Sequence, residues 1–124
     1  MISLRNRIGW GAMALIAGSI ALAPRASTAL PRFDGLWSVS IVTTKGDCIA
    51  SYRYPMLIAN GVLANGGALA LDVRGRVAPS GNITVRVSSG EKKAIGFGRL
   101  AGNSGSGRWS GSSCSGSWTA ERRS

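Results

Sequence analysis

Histidine is missing from all 124 residues, and acids are scarce: Asp34, Asp47, Asp72, Glu91 and Glu121 stand against 15 lysines and arginines. The first absence takes away the usual base of a nucleophile–base pair and the commonest metal-binding side chain. Two cysteines without histidine do not make a zinc site. The five carboxylates read as solvated charges, Asp47 and Glu91 in turn-like contexts, Asp72 on the polar face of a strand and Glu121 near the C-terminus. None has the spacing of a paired general acid and base. No phosphate-cradling glycine loop and no metal motif is present. The expectation is a protein that is not an enzyme and that uses no metal and no cofactor.

Long apolar runs are scarce as well, and the one that exists is at the start. Ile8–Ala23 is uncharged, follows Arg5 and Arg7, and precedes Ser27-Thr28-Ala29, whose small residues suit the −3 and −1 positions of a cleavage site. That three-part plan reads as a secretory signal peptide. The rival reading is a membrane anchor, but the run falls short of the roughly 20 residues a spanning helix needs, and Pro24 interrupts it. Residues 1–29 are therefore expected to be a signal peptide and 30–124 a single domain, periplasmic or secreted. Contact with a membrane is expected only through an uncleaved signal.

Of the 15 Lys+Arg, Arg5, Arg7 and Arg25 leave with that segment; 12 remain against 5 acids, a net charge of +7. A domain this small buries only about 60–65% of its unfolded surface, so a covalent staple helps. Cys48 and Cys114 supply one, since both lie downstream of an export signal and so in a disulfide-permissive compartment. Closing a loop of that length is worth about 4 kcal/mol in the chain-entropy view.

Amphipathic helical periodicity is absent from the remainder; period-2 alternation replaces it. In "LWSVSIV", Trp37, Val39 and Ile41 alternate with serines, and in "SYRYPMLI", Tyr52, Tyr54, Met56 and Ile58 share one face. Leu69, Leu71 and Val73 alternate with Ala70, Asp72 and Arg74, as do Ile83, Val85 and Val87 with Thr84, Arg86 and Ser88. Such alternation marks half-buried strands. Asn60-Gly61, Asn65-Gly66-Gly67, Pro79-Ser80-Gly81, Ser89-Gly90 and Gly102-Asn103-Ser104-Gly105 punctuate them with turn-forming residues. The pattern predicts an all-β antiparallel meander of about seven or eight strands, a small barrel or a tight sandwich. Pro55, which cannot donate to a ladder, points to an edge or a bulge in its strand.

Three of the four tryptophans follow a glycine by two positions: Gly35-Leu36-Trp37, Gly107-Arg108-Trp109 and Gly116-Ser117-Trp118. Residues i and i−2 of a strand share a face, so each glycine leaves a vacancy beside its own indole. Trp37, Trp109 and Trp118, with Tyr52 and Tyr54, then either form an aromatic core or line a ligand pocket. A second pattern is on the polar face, where Arg53, Arg74, Arg86, Arg99 and Arg108 fall on different strands. If those strands are neighbours, the arginines band the sheet and attract polyanions. A solvated face is the plainer alternative. No base-stacking ribbon or known nucleic-acid module is legible, so nucleic acid is not an expected partner.

The stretches "FDGLWSVSIVTTKGDC", "YRYP", "GFGRLAGNSGSGRWSG" and "CSGSWTAER" together resemble a group of small exported proteins of alphaproteobacteria, which implies an all-β periplasmic or secreted protein and no particular activity. Gly35-Leu36-Trp37 with a late arginine, Arg122 or Arg123, is similar to the lipocalin–avidin (calycin) barrels. There a Gly-x-Trp opens the first strand and an arginine of the last strand packs across the tryptophan. That superfamily includes periplasmic protease inhibitors with an inserting N-terminal segment, for which Leu30–Asp34 is short. The functional expectation is an exported binding module, taking a small molecule in a barrel cavity or an anionic envelope component on the arginine face. The alternatives are a structural envelope protein and a periplasmic protease inhibitor. Ligand identity and oligomeric state are not legible.

Overall fold

Each alternating stretch becomes a strand, each strand pairs with its neighbour in sequence, and the last pairs back with the first to close a barrel. The computed structural model describes residues 32–124; the expected signal segment and its Ala29/Leu30 bond lie outside the described residues. The strands are β1 (Gly35–Lys45), β2 (Ser51–Ala59), β3 (Val62–Asn65), β4 (Asp72–Val77), β5 (Asn82–Ser89), β6 (Lys92–Ala101), β7 (Ser104–Gly111) and β8 (Ser115–Arg122). All are antiparallel, and the closing ladder runs from Trp37 opposite Arg122 to Thr43 opposite Gly116, with a register shift between Thr43 and Lys45. Of barrel and sandwich, the chain adopts the barrel.

The turns follow local chemistry. Asn60 and Gly61 both have positive φ, 54° and 76°, the type I′ geometry that suits the twist of a two-residue hairpin. The carboxylate of Asp34 holds this turn from below, accepting hydrogen bonds from the Asn60 and Gly61 amides at 2.5 and 3.0 Å. Asp34 is thus a structural clamp rather than a solvated charge; its partners lie 26 and 27 positions along the chain, and only the fold supplies them.

Two strand readings are corrected. Leu69 is not in a strand: it sits in the 66–71 loop and is 58% exposed, and β4 starts at Asp72. Pro55 lies in β2 without an edge strand, because the barrel has none. The β2–β3 ladder covers only Met56–Ala59, and the Pro55 carbonyl receives the Gly66 amide from the loop after β3. In an antiparallel strand the amide and carbonyl of one residue point to the same side. The missing donor therefore faces Gly66, just past the end of β3, and only the return half of that one pair is lost.

The two ends of the barrel differ. At one end Phe33, Trp37, Ile58, Leu63, Ile83, Leu100 and Ala120 form a buried cluster that seals a floor. The Trp37 indole donates to the Phe33 carbonyl at 2.9 Å, and the Arg122 guanidinium lies 5.1 Å over the Trp37 ring. Arg122 also donates to the carbonyls of Arg32, Asp34 and Gly102 and to Asn103 Oδ1, so it ties the N-terminal lead to the β6–β7 turn across the floor. The opposite end carries the 46–50, 66–71 and 112–114 loops. There Cys48, between β1 and β2, is bonded to Cys114, between β7 and β8, joining the first hairpin to the last.

Candidate functional site: the barrel cavity

Inward-facing positions of β1 to β8 converge on a cavity of about 150 Å³ between the sealed floor and the loop end. Its wall is aliphatic and aromatic, with Val39, Ile41, Met56, Leu71, Val85 and Ala94 among its residues, and no charged side chain lines it. An enclosed apolar cavity of about this volume holds a benzene-sized molecule; this one is of that size and partly open. All five aromatic residues singled out in the sequence, Trp37, Tyr52, Tyr54, Trp109 and Trp118, line this one space. Core and pocket are not alternatives here: Trp37 fills the floor, 1% exposed, and Tyr52 stands at the mouth, 47% exposed.

The glycine–tryptophan phrases of β7 and β8 pair with each other in antiparallel register. Gly107 lies opposite Trp118, and Trp109 lies opposite Gly116. The vacancy left by Gly107 is therefore used by the Trp118 indole of the other phrase, whereas the one at Gly116 is closed by the Val42 and Thr43 backbone of β1. A Cβ on Gly107 would sit 2.6 Å from Trp118 Cζ2, and one on Gly98, a strand further on, 2.7 Å from the same atom. Trp118 thus reaches across two strands in the direction of β6. Trp109 extends the other way, past Gly116, and its Nε1 donates to the Val42 carbonyl of β1 at 3.1 Å. Gly35 has a different reason: its φ is 138°, and a Cβ there would meet the Ser124 carbonyl oxygen at 2.6 Å.

The polar atoms of the wall are nearly all engaged. Tyr54 Oη donates to Asn65 Oδ1 at 2.7 Å and accepts the Leu69 amide at 3.0 Å. Asn65 in turn donates to the Leu69 carbonyl and accepts the Gly67 amide. This knot holds the 66–71 loop beside the mouth half of β2. One buried donor stays unmatched: Trp118 is 7% exposed, and its Nε1 has no hydrogen-bond partner among the described residues.

The arginines divide. Arg74 pairs directly with Arg86 across β4 and β5, and Arg108 lies opposite Phe97 across β6 and β7. Arg99, opposite Asn82 on β5 and Ser106 on β7, stands on the same outer face. Arg53 stands apart: it is on β2, opposite Ser40 of β1, with β3 between it and Arg74 of β4. Arg74 is also partly matched by Asp72, 3.2 Å away between two well-exposed groups. The alternation of the sequence put each arginine outside, but only the strand order decides which of them are neighbours.

Fold and site define a class: a closed eight-stranded antiparallel barrel with a sealed floor, an apolar cavity and a disulfide-tied mouth. No protein-family model, curated protein or solved structure matches the chain. Sequence reasoning had missed the aliphatic wall as a site, since Ile41, Leu71, Val85 and Ala94 look like any core residues until the barrel closes around a space they do not fill.

Proposed function

We propose that this protein is an exported, non-enzymatic binding module that takes a small apolar molecule into the barrel. The cavity carries the reading: it is apolar throughout, closed at the Trp37 floor and flanked at the other end by half-exposed Tyr52. A domain of this size that seals one end with seven buried side chains has the means to fill the other, and filling it would add stability. The disulfide supports a location in an oxidising compartment, periplasmic or secreted. The calycin resemblance agrees with the same use of a barrel interior. Among the described residues no carboxylate, lysine or arginine lines the cavity, so the chemistry offered is desolvation and shape. Native mass spectrometry of the protein isolated from producing cells tests this. A defined small adduct on the wild type, lost in Ala94→Phe, is expected; a bare wild type that also fails to gain thermal stability from toluene would overturn it.

A second reading rests on the outer face, where Phe97 is 54% exposed and lies between Thr84 and Arg108. Exposed Ile95, opposite Arg86, adjoins it on β6. An apolar pair in a field of arginines suits an anionic envelope surface. Such binding weakens as salt rises, whereas binding in the cavity does not. Sedimentation with phosphatidylglycerol vesicles in low and high salt separates the two, and no sedimentation at low salt removes this reading.

A further inference from the structure

Among the described residues the cavity wall holds one buried hydrogen-bond donor without a partner, and its position specifies what a ligand must carry. Trp109 and Trp118 belong to equivalent phrases and lie opposite each other's glycines, yet their indoles end differently. Trp109 reaches a carbonyl of β1; Trp118 reaches none, although it is more deeply buried. Its Nε1 lies over Gly96, 3.7 Å from where a Cβ on that residue would be, while its Cζ2 edge lies over Gly98 and Gly107. Along β6, Gly96 is on the mouth side of Gly98, as Ala94 is of Gly96. The N–H edge of the indole is thus turned toward the cavity and its mouth, and the benzenoid edge is packed against the wall.

A buried donor without an acceptor is destabilising by an amount comparable to a whole hydrogen bond, and native interiors rarely retain one without use. Water is a poor solution at this place, because it needs two to four polar partners and the surrounding wall offers Val85, Gly96, Ile41 and Trp109. Tyr54 Oη, Trp37 Nε1 and Trp109 Nε1 are already engaged by Asn65, Phe33 and Val42. No charged group lines the space to neutralise an ion, and an unpaired buried charge is strongly disfavoured.

Building on the cavity reading, we propose that the site selects an uncharged molecule of about the size of a six-membered ring that carries a single hydrogen-bond acceptor, a carbonyl or ether oxygen, received by Trp118 Nε1 above Gly96. Gly96 is then a specificity residue: it keeps open the space in which the acceptor sits. A side chain there would meet Val85 Cγ1 at 3.0 Å and crowd the N–H.

Two near-isosteric probes test this, cyclohexanone and methylenecyclohexane, which differ in C=O against C=CH₂. In nitrogen-15 correlation spectra of the protein, both should perturb the resonances of the wall, and only cyclohexanone should move the Trp118 indole proton downfield. Trp118→Phe should weaken cyclohexanone by about tenfold, the effect of one net hydrogen bond, and leave methylenecyclohexane within about twofold. Gly96→Ala should lower cyclohexanone affinity more than that of the hydrocarbon. If both probes bind and the Trp118 proton responds alike to each, the acceptor inference falls and the cavity reading stands. If neither perturbs the wall, both fall.

Discussion

The floor and the mouth of this barrel are built from the same strands and held by different physics. At the floor, side chains do the work: Trp37 and Leu100 are the most deeply buried large residues, Arg122 stacks on Trp37, and Asp34 clamps a hairpin turn. At the mouth, packing is thin, Leu69 and Tyr52 are largely exposed, and a covalent bond between two loops takes over. An end that closes on itself cannot admit a ligand, and an end that stays open cannot be stabilised by burial. A disulfide resolves this conflict, because it restricts the unfolded chain without filling the cavity.

The comparison can be broken at its strongest point first. Trp37→Ala should cost about 3–5 kcal/mol, the range for emptying a large buried aromatic site, read as a fall in the denaturant midpoint. It should also let the floor admit solvent, so that amides of Ile58 and Leu100 exchange as fast as those at the mouth. Cys48→Ser with Cys114→Ser should cost about 2–4 kcal/mol and act at the other end. Hydrogen exchange should then rise first around Thr43–Ser51 and Gly111–Ser115, with the floor protected up to the global transition. A uniform rise would mean that the ends are not independent.

The wall between them comes next. Gly107→Ala would press a Cβ onto the Phe97 carbonyl oxygen and bring it within 2.6 Å of Trp118. Backbone cannot move aside cheaply, so overpacking of about 1–3 kcal/mol is expected, checked by thermal unfolding. Gly90→Ala is the control in a mouth-end turn, where nothing lies within 4 Å and only its φ of 65° is at stake; about 1 kcal/mol is expected there. The smallest effect belongs to the mouth itself. Tyr52→Ala should change stability by no more than about 0.5 kcal/mol, as for other exposed positions. If the mouth serves ligand access, it should nonetheless alter the association rate of a cavity probe, measured by tryptophan fluorescence.

Much of this was legible before the fold. The face of every inward residue from Trp37 to Ile58 and from Ile83 to Val87 follows from alternation, because side chains in a strand have period 2 whatever the neighbours are. Asn60-Gly61 announces its hairpin through positive φ alone. Leu69 misled because an apolar residue in phase with Leu71 looks like a strand, whereas Tyr54 and Asn65 capture the backbone there for a loop. Pro55 implied an edge that a closed barrel does not have; the early end of β3 supplies the gap instead. Asp34 and Arg122 act on partners 26 and 88 positions away, at separations that no local pattern encodes.

What the sequence by itself determined is therefore the local layer: all-β structure, the positions of most turns, two faces for each strand, and one pair of cysteines available for a bond. These rest on backbone sterics and on a two-residue repeat, and both operate within a few residues. The tertiary structure decided the rest: that the sheet closes, that one end is sealed, that each tryptophan of β7 and β8 lies opposite the other's glycine, and that four of five arginines stand on consecutive strands while Arg53 is set apart by β3. Those outcomes depend on the register between strands far apart in the chain. Register also separates Trp109, whose N–H meets a carbonyl, from Trp118, whose N–H does not.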